Sequence, residues 1–168
     1  MNIAIVDDIA AERALLRSRL ERQLSRRNIQ ANLLEYETGE AFLSSCAKLQ
    51  FAVLFLDIYM DRVNGIETAK QFRSMDARCL LIFTTTSTDH ALEGFRVRAM
   101  HYLVKPYTEE MISDLIDEIL ARLPSTERYM TLKLNGTEVP LPFSSFIYAE
   151  HFSHMIHIHT TQDAVLTV

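Results

Sequence analysis

Apolar runs in this chain stop repeatedly on polar residues that can do chemistry. "NIAIVDD" (Asn2–Asp8) closes on Asp7 and Asp8, and "FAVLFLD" (Phe51–Asp57) closes on Asp57. "CLLIFTT" (Cys79–Thr85) runs into three threonines, Thr84 to Thr86, and "HYLVK" (His101–Lys105) closes on Lys105. Taken singly, each has an ordinary reading: a solvated acid at a strand end, β-branched strand residues, a surface lysine. Their recurrence at the ends of four strands is harder to dismiss. Three carboxylates gathered at one edge repel one another and raise each other's pKa. A hard divalent cation resolves that repulsion, and Mg²⁺ needs only one or two carboxylates directly. A metal beside a free carboxylate, a lysine and a hydroxyl can support phosphoryl transfer onto the carboxylate. Aspartyl phosphates are a known form of covalent catalysis, and the transfer needs alignment and charge neutralisation more than covalent help.

Those residues meet only if the strands lie parallel. The chain alternates strand and helix five times. Leu16, Leu20 and Leu24 repeat every fourth position after the first strand, as a buried helix stripe does. "ANLLEYET" (Ala31–Thr38) reads as the second strand, with a short helix over Gly39–Leu49. The spacing predicts a helix capped by Asn64 and running to about Met75, and another over Asp89–Val97. In the last helix Ile112, Leu115, Ile116, Ile119, Leu120 and Leu123 keep the i, i+3, i+4, i+7 spacing. Three strands are almost wholly apolar, which fits coverage on both faces. The expected fold is α/β, a doubly wound parallel sheet with helices on both sides and ligands beyond the carboxyl ends of the strands.

The 168 residues suffice for one domain and part of a second; 48% are hydrophobic, 23% are charged, and the net charge is −5. That balance gives no electrostatic reason to expect nucleic acid as partner of the whole molecule. No apolar run approaches the roughly 18 residues of a membrane span, no secretory signal opens the chain, and a cytoplasmic location is expected. Cys46 and Cys79 stand far apart and read as reduced thiols. At Pro124 the pattern changes to alternating, β-rich segments: "YMTLKL", a turn at Asn135-Gly136, "TEVPLPF", "FIYAE", "HMIHIHTT" and "AVLTV". The expected organisation is a first domain over 1–123, a linker over 124–127 and an all-β fragment over 128–168, cut short.

"VDD" (Val6–Asp8), "LDIYMDRVNG" (Leu56–Gly65), "IFTTT" (Ile82–Thr86) and "YLVKP" (Tyr102–Pro106) occur in an order and spacing that resemble the receiver domain of bacterial two-component response regulators. The resemblance implies a flavodoxin-like five-stranded sheet in the order 2-1-3-4-5. It implies that Asp57 accepts a phosphoryl group from a sensor histidine kinase. Mg²⁺ (or Mn²⁺) would then be held by Asp8, Asp57 and the Tyr59 backbone carbonyl, and by Asp7 through water. Lys105 would pair with the phosphoryl group, Thr85 and Tyr102 would be the switch pair, and Lys105–Pro106 would be cis. The family implies self-assisted Mg-dependent phosphoryl transfer and dephosphorylation, not a conventional enzyme. Asp61 stands where many receivers have Pro, at a position that shapes the loop without binding the metal. Alignment through "IF" and Lys105 favours Thr85 over Thr84 as the switch hydroxyl.

"FIYAEHFSHMIHIHT" (Phe146–Thr160) is similar to the first signature stretch of LytTR-type DNA-binding domains. That resemblance implies a transcriptional output and points to His154, then His151, as DNA contacts. From Ser125 onward only Arg128 and Lys133 are basic, against four acids, so DNA binding is expected of a full-length parent and not of this chain alone. On a single regular strand His151, His157 and His159 would share one face and His154 the other. A metal site there is less expected than half-exposed strand histidines. Open strand edges make a homodimer a secondary expectation.

Two other readings carry different chemistry. A phosphatase of the haloacid-dehalogenase type also uses a strand-end Asp, but needs a second acid two residues on, where this chain has Tyr59. A receiver-like interaction module working without phosphorylation is the alternative, and retention of every charged member of the site speaks against it.

Overall fold

The computed structural model describes residues 1–60, 64–87, 96–123, 129–134, 136–152, 155–161 and 165–167. The chain divides into two units, Met1–Leu123 and Pro124–Val168.

In the first unit five strands form one parallel sheet: β1 (Asn2–Val6), β2 (Asn32–Tyr36), β3 (Val53–Asp57), β4 (Leu80–Thr85) and β5 (His101–Val104). Their order is β2-β1-β3-β4-β5. Four helices accompany them: α1 (Ala10–Arg26), α2 (Gly39–Ser45), α3 (Gly65–Met75) and α4 (Glu109–Arg122). The helix expected over Asp89–Val97 falls largely outside the described residues, as does Asp61. Asn64 caps α3 as its residue type predicts, its side-chain oxygen accepting from the Ile66 N–H at 2.8 Å. The second helix is shorter than expected. It ends at Ser45 because the chain tightens there into turns, with the N–H groups of Lys48 and Leu49 both donating to the Ser45 carbonyl.

The sheet separates two apolar layers, as the period of two along each strand requires. One layer packs Ile3, Ile5, Val53, Phe55 and Ile82 against Leu16, Leu20 and Leu24 of α1 and Ile112, Leu115, Ile116 and Ile119 of α4. The other packs Val6, Leu54, Leu56, Leu81 and Phe83 against Phe42 of α2 and Ile66, Ala69 and Phe72 of α3. Each Val, Leu, Ile or Phe among them contributes about 1.5–3 kcal/mol on burial. Covered on both faces, β3 is buried along its whole length, Asp57 included.

The α2–α3 contact leaves no space at Gly39. A Cβ there would lie 2.1 Å from Thr68 Oγ1, a hydroxyl buried without a hydrogen-bond partner among the described residues. Gly39→Ala should therefore lose about 1–2 kcal/mol, and Gly39→Ala with Thr68→Ala should recover most of it. Urea midpoints of the two variants check this; no recovery would place the strain elsewhere.

The second unit, described by itself, is antiparallel. β6 (Tyr129–Leu134) pairs with β7 (Thr137–Pro142), and β9 (Met155–Thr160) lies between β8 (Phe146–Phe152) and β10 (Val165–Thr167). Gly136, between β6 and β7, has φ of 81°, which a residue without Cβ adopts freely; its expected turn partner Asn135 lies outside the described residues. Leu132, Leu141 and Ile158 form a small core.

The strand histidines do not share one face as expected. His151 lies on β8 opposite Ile156, while His157 and His159 lie on β9 opposite Glu150 and Tyr148. Cross-strand partners share a face, so His151 faces away from His157 and His159. The expectation treated two antiparallel strands as one. His159 Nε2 instead lies 2.9 Å from Glu150 Oε1, and its ring stacks on Tyr148 at 4.2 Å. His154 is outside the described residues.

Candidate phosphoacceptor and metal site

Parallel pairing puts the carboxyl ends of β1, β3, β4 and β5 at one edge, in the register Val6↔Leu56, Asp57↔Thr84 and Thr85↔Val104. Asp7 and Asp57 are each only 4% exposed, and Asp8 is half-buried. Carboxylate oxygens of Asp7, Asp8 and Asp57 lie within 4.8 Å of one another. Lys105 Nζ donates to Asp7 Oδ2 at 2.7 Å and lies 3.2 Å from Asp57 Oδ1. One ammonium thus serves two buried acids, with Glu12 at 4.0 Å as a third neighbour.

Burial pushes the Asp57 carboxyl up to about 6, reinforced by the charges of Asp7 and Asp8 and only partly offset by Lys105. Burial works against the Lys105 charge, but its bond to Asp7 and the charge of Asp57 prevail and hold its pKa above the ordinary lysine value. The cluster is short of positive charge. An all-oxygen donor set with two desolvated carboxylates fits a hard divalent cation such as Mg²⁺. Among the described residues this is the one grouping of three acids, cysteines or histidines that could hold a metal; the strand histidines provide none.

Neighbouring residues fix these groups. Asp7 Oδ1 accepts from the Ile9 N–H at 2.9 Å, and Arg13 donates to the Asp7 backbone carbonyl. Gly65 N–H donates to the Ile58 carbonyl at 3.0 Å, drawing the start of α3 against the end of β3. Arg19 of α1 donates to the Tyr107 carbonyl and lies over its ring at 5.2 Å, which tethers the segment following Lys105. The Lys105–Pro106 peptide is cis. Sequence reasoning missed Glu12, Arg13 and Arg19, whose roles depend on how α1 lies across the sheet and have no local signature.

Thr84 and Thr85 are both buried, and strand alternation sends them to opposite faces. Thr85 falls on the face of Phe83, whose ring lies 5.3 Å from that of half-buried Tyr102. Its hydroxyl donates to the Ser87 carbonyl at 2.8 Å and accepts from the Ser87 N–H at 3.1 Å. Tyr59 is exposed. Away from this edge, Cys79 is buried, which pushes its thiol up to about 12 and leaves it unreactive; no helix among the described residues is long and apolar enough to cross a membrane.

A five-stranded parallel sheet in this order, with acids and a lysine at its carboxyl edge, defines a receiver-type α/β domain. Residues 3–117 match the response regulator receiver domain, and the chain belongs to that family. It is 32% identical over 135 residues to the sensory transduction protein LytT of Oceanobacillus iheyensis, covering 79% of this chain and 54% of that one. It is 34% identical over 118 residues to the positive alginate biosynthesis regulatory protein of Pseudomonas aeruginosa, covering 69% and 46%. The chain thus spans about half the length of these curated relatives. Among solved structures, the response regulatory domain of mrkE from Klebsiella pneumoniae aligns with a TM-score of 0.61 at 23% identity, over 72% of this chain and 96% of that one. The TrrA response regulator of Thermotoga maritima, solved with Mg²⁺ and beryllium fluoride, aligns at 0.60 and 22% identity, over 70% and 97%. At those identities the likeness establishes the fold.

Proposed function

We propose that this chain is the phosphorylation-controlled part of a response regulator. Asp57 accepts a phosphoryl group from the phosphohistidine of a sensor histidine kinase, and the second unit belongs to a LytTR-type DNA-binding output of a longer parent. The observation that carries the reading is the shared lysine: Lys105 reaches Asp7 at 2.7 Å and Asp57 at 3.2 Å on a buried edge that also holds Asp8.

In the reaction an Asp57 carboxylate oxygen forms the new O–P bond as the P–N bond breaks. The electron pair stays with the imidazole, which takes up a proton. Lys105, already beside Asp57, pairs with the phosphoryl oxygens, and Asp7 keeps it oriented. Asp8, Asp57 and the Tyr59 carbonyl, with Asp7 through water, would hold Mg²⁺ (or Mn²⁺), which would supply charge neutralisation on those oxygens.

The added charge and acceptor oxygens give the Thr85 hydroxyl a stronger partner than Ser87. Thr85 turns inward, and Tyr102 takes the vacated space along Phe83. This is a two-state element biased by a local charge, and β5 with α4 is the surface it repacks. In the parent, this change sets the state of the DNA-binding output, to which His151 and His154 contribute contacts.

The test is beryllofluoride with Mg²⁺, read by hydrogen–deuterium exchange over residues 101–123 and by light scattering. Wild type should gain protection on β5 and α4, and Thr85→Ala should bind the mimic without that gain. Absence of any response in wild type would favour an interaction module that works without phosphorylation.

A further inference from the structure

The opposite end of the receiver sheet carries a cleft that phosphoryl transfer does not use. Leu80 begins β4, Met100 precedes β5, and Arg122 lies in the last turn of α4. Together with Arg96, Arg98 and Ala99 they line a half-open cavity of about 590 Å³. That size is within the range of small-molecule sites. The composition is one-sided: among the described residues, three arginines stand over Leu80, Ala99 and Met100, with no acid in the lining. No ion pair joins Arg96, Arg98 or Arg122 to another described residue. In a chain of net charge −5, three guanidinium groups with no carboxylate partner among the described residues form a local reversal of sign.

The backbone beneath them is held in an unusual shape. Arg98 has φ of 53°, a left-handed conformation uncommon for a residue with a side chain and often retained at functional positions. Arg73 of α3 maintains it from below. Its guanidinium donates to the carbonyls of Val97 at 2.7 Å, Cys79 at 2.8 Å and Arg98 at 3.2 Å. Burial, and then the nearby charge of Arg98, hold the Arg73 pKa below the ordinary arginine value. The fold therefore uses one cation to anchor the turn that presents another.

Guanidinium groups bind phosphate through two parallel hydrogen bonds and also stack on flat rings. Three of them call for a ligand with at least two negative charges, and an apolar floor calls for a flat apolar group. We propose that this cleft binds a nucleoside di- or triphosphate, the phosphates held by Arg96, Arg98 and Arg122 and the base over Leu80, Ala99 and Met100. Inorganic phosphate would leave the floor unused. A nucleic acid strand would need a longer basic track than three residues.

The test is titration calorimetry of the full chain with ATP and GTP in buffer containing EDTA, which keeps the Asp7–Asp8–Asp57 cluster free of metal. One nucleotide per chain should bind, with pyrophosphate weaker by about fivefold and adenosine showing no measurable heat up to about 1 mM. Arg98→Ser and Arg122→Ser should each weaken binding by about tenfold, as the loss of one charge-assisted pair does. Both side chains are exposed, so the variants should keep the wild-type melting curve. The proposal is overturned by no saturable heat with either nucleotide, by equal affinity in both variants, or by tighter binding of a glutamate-rich peptide than of any nucleotide.

Discussion

Asp57→Asn should take up no phosphoryl group and yet fold more stably than wild type at neutral pH. Incubated with acetyl phosphate and Mg²⁺, wild type should gain a mass of about 80 Da per chain, one phosphoryl group. The variant lacks the nucleophilic oxygen and should gain none, and Asp57→Ala should behave alike; an adduct retained on either would refute the assignment of Asp57. The stability gain has a separate cause. Asp57 is 4% exposed, and burial beside Asp7 and Asp8 raises its pKa from 3.8 to about 6. Each unit is worth about 1.4 kcal/mol, so the ionised carboxylate costs the metal-free fold about 2–3 kcal/mol. Lys105 loses the charge of Asp57 in the variant but keeps its hydrogen bond to Asp7 at 2.7 Å.

The dependence on pH follows from proton binding. Between about pH 4 and pH 6 the native state holds more protons at Asp57 than the unfolded chain does, so wild-type stability falls as pH rises through that window. The cost reaches its full size by about pH 7 and fades below about pH 4. In EDTA the variant should therefore melt roughly 6–10 °C higher at pH 7.5, with the difference vanishing near pH 4. A variant that melts lower than wild type at pH 7.5 would show that Asp57 is stabilising as a Lys105 partner, contrary to the charge balance described.

Gly65→Ala should be among the most damaging single substitutions in the first unit. A Cβ at Gly65 would lie 1.9 Å from the Asp57 carbonyl oxygen, 2.9 Å from its carbon and 3.0 Å from Ile58 Cα. All three are main-chain atoms, so no side chain can swing aside. Either α3 retreats and loses the burial of Ile66, Ala69 and Phe72, or the end of β3 shifts and carries Asp57 with it. The expected loss is about 3 kcal/mol, the upper range for overpacking, with phosphoryl uptake slowed about tenfold or more by the misplaced carboxylate. Thermal melting and the time course of the mass adduct report the two effects separately. A melting temperature and uptake rate equal to wild type would show that the two elements do not approach this closely.

The sheet was legible because its apolar runs are short, nearly pure and separated by helical spacing. Leu16, Leu20 and Leu24 and the Ile112–Ile119 stripe are all buried where their periods place them. Asp7, Asp8, Asp57, Thr85 and Lys105 were legible too, since each stands at the end of such a run. The histidine strand was misjudged because alternation predicts faces only within one strand, and β8 and β9 are two. The early end of α2 was not visible either, because backbone turns at Ser45 leave no apolar period to interrupt.

By itself, the sequence determined the parallel α/β order and the family to which the chain belongs, because hydrophobic period and motif spacing are local properties. Only the tertiary structure decided that Lys105 is shared unequally between Asp7 and Asp57, that Gly65 abuts the Asp57 carbonyl, and that Arg96, Arg98 and Arg122 border one cleft. Each of these is set by how the helices pack on the sheet, which has no counterpart in local spacing.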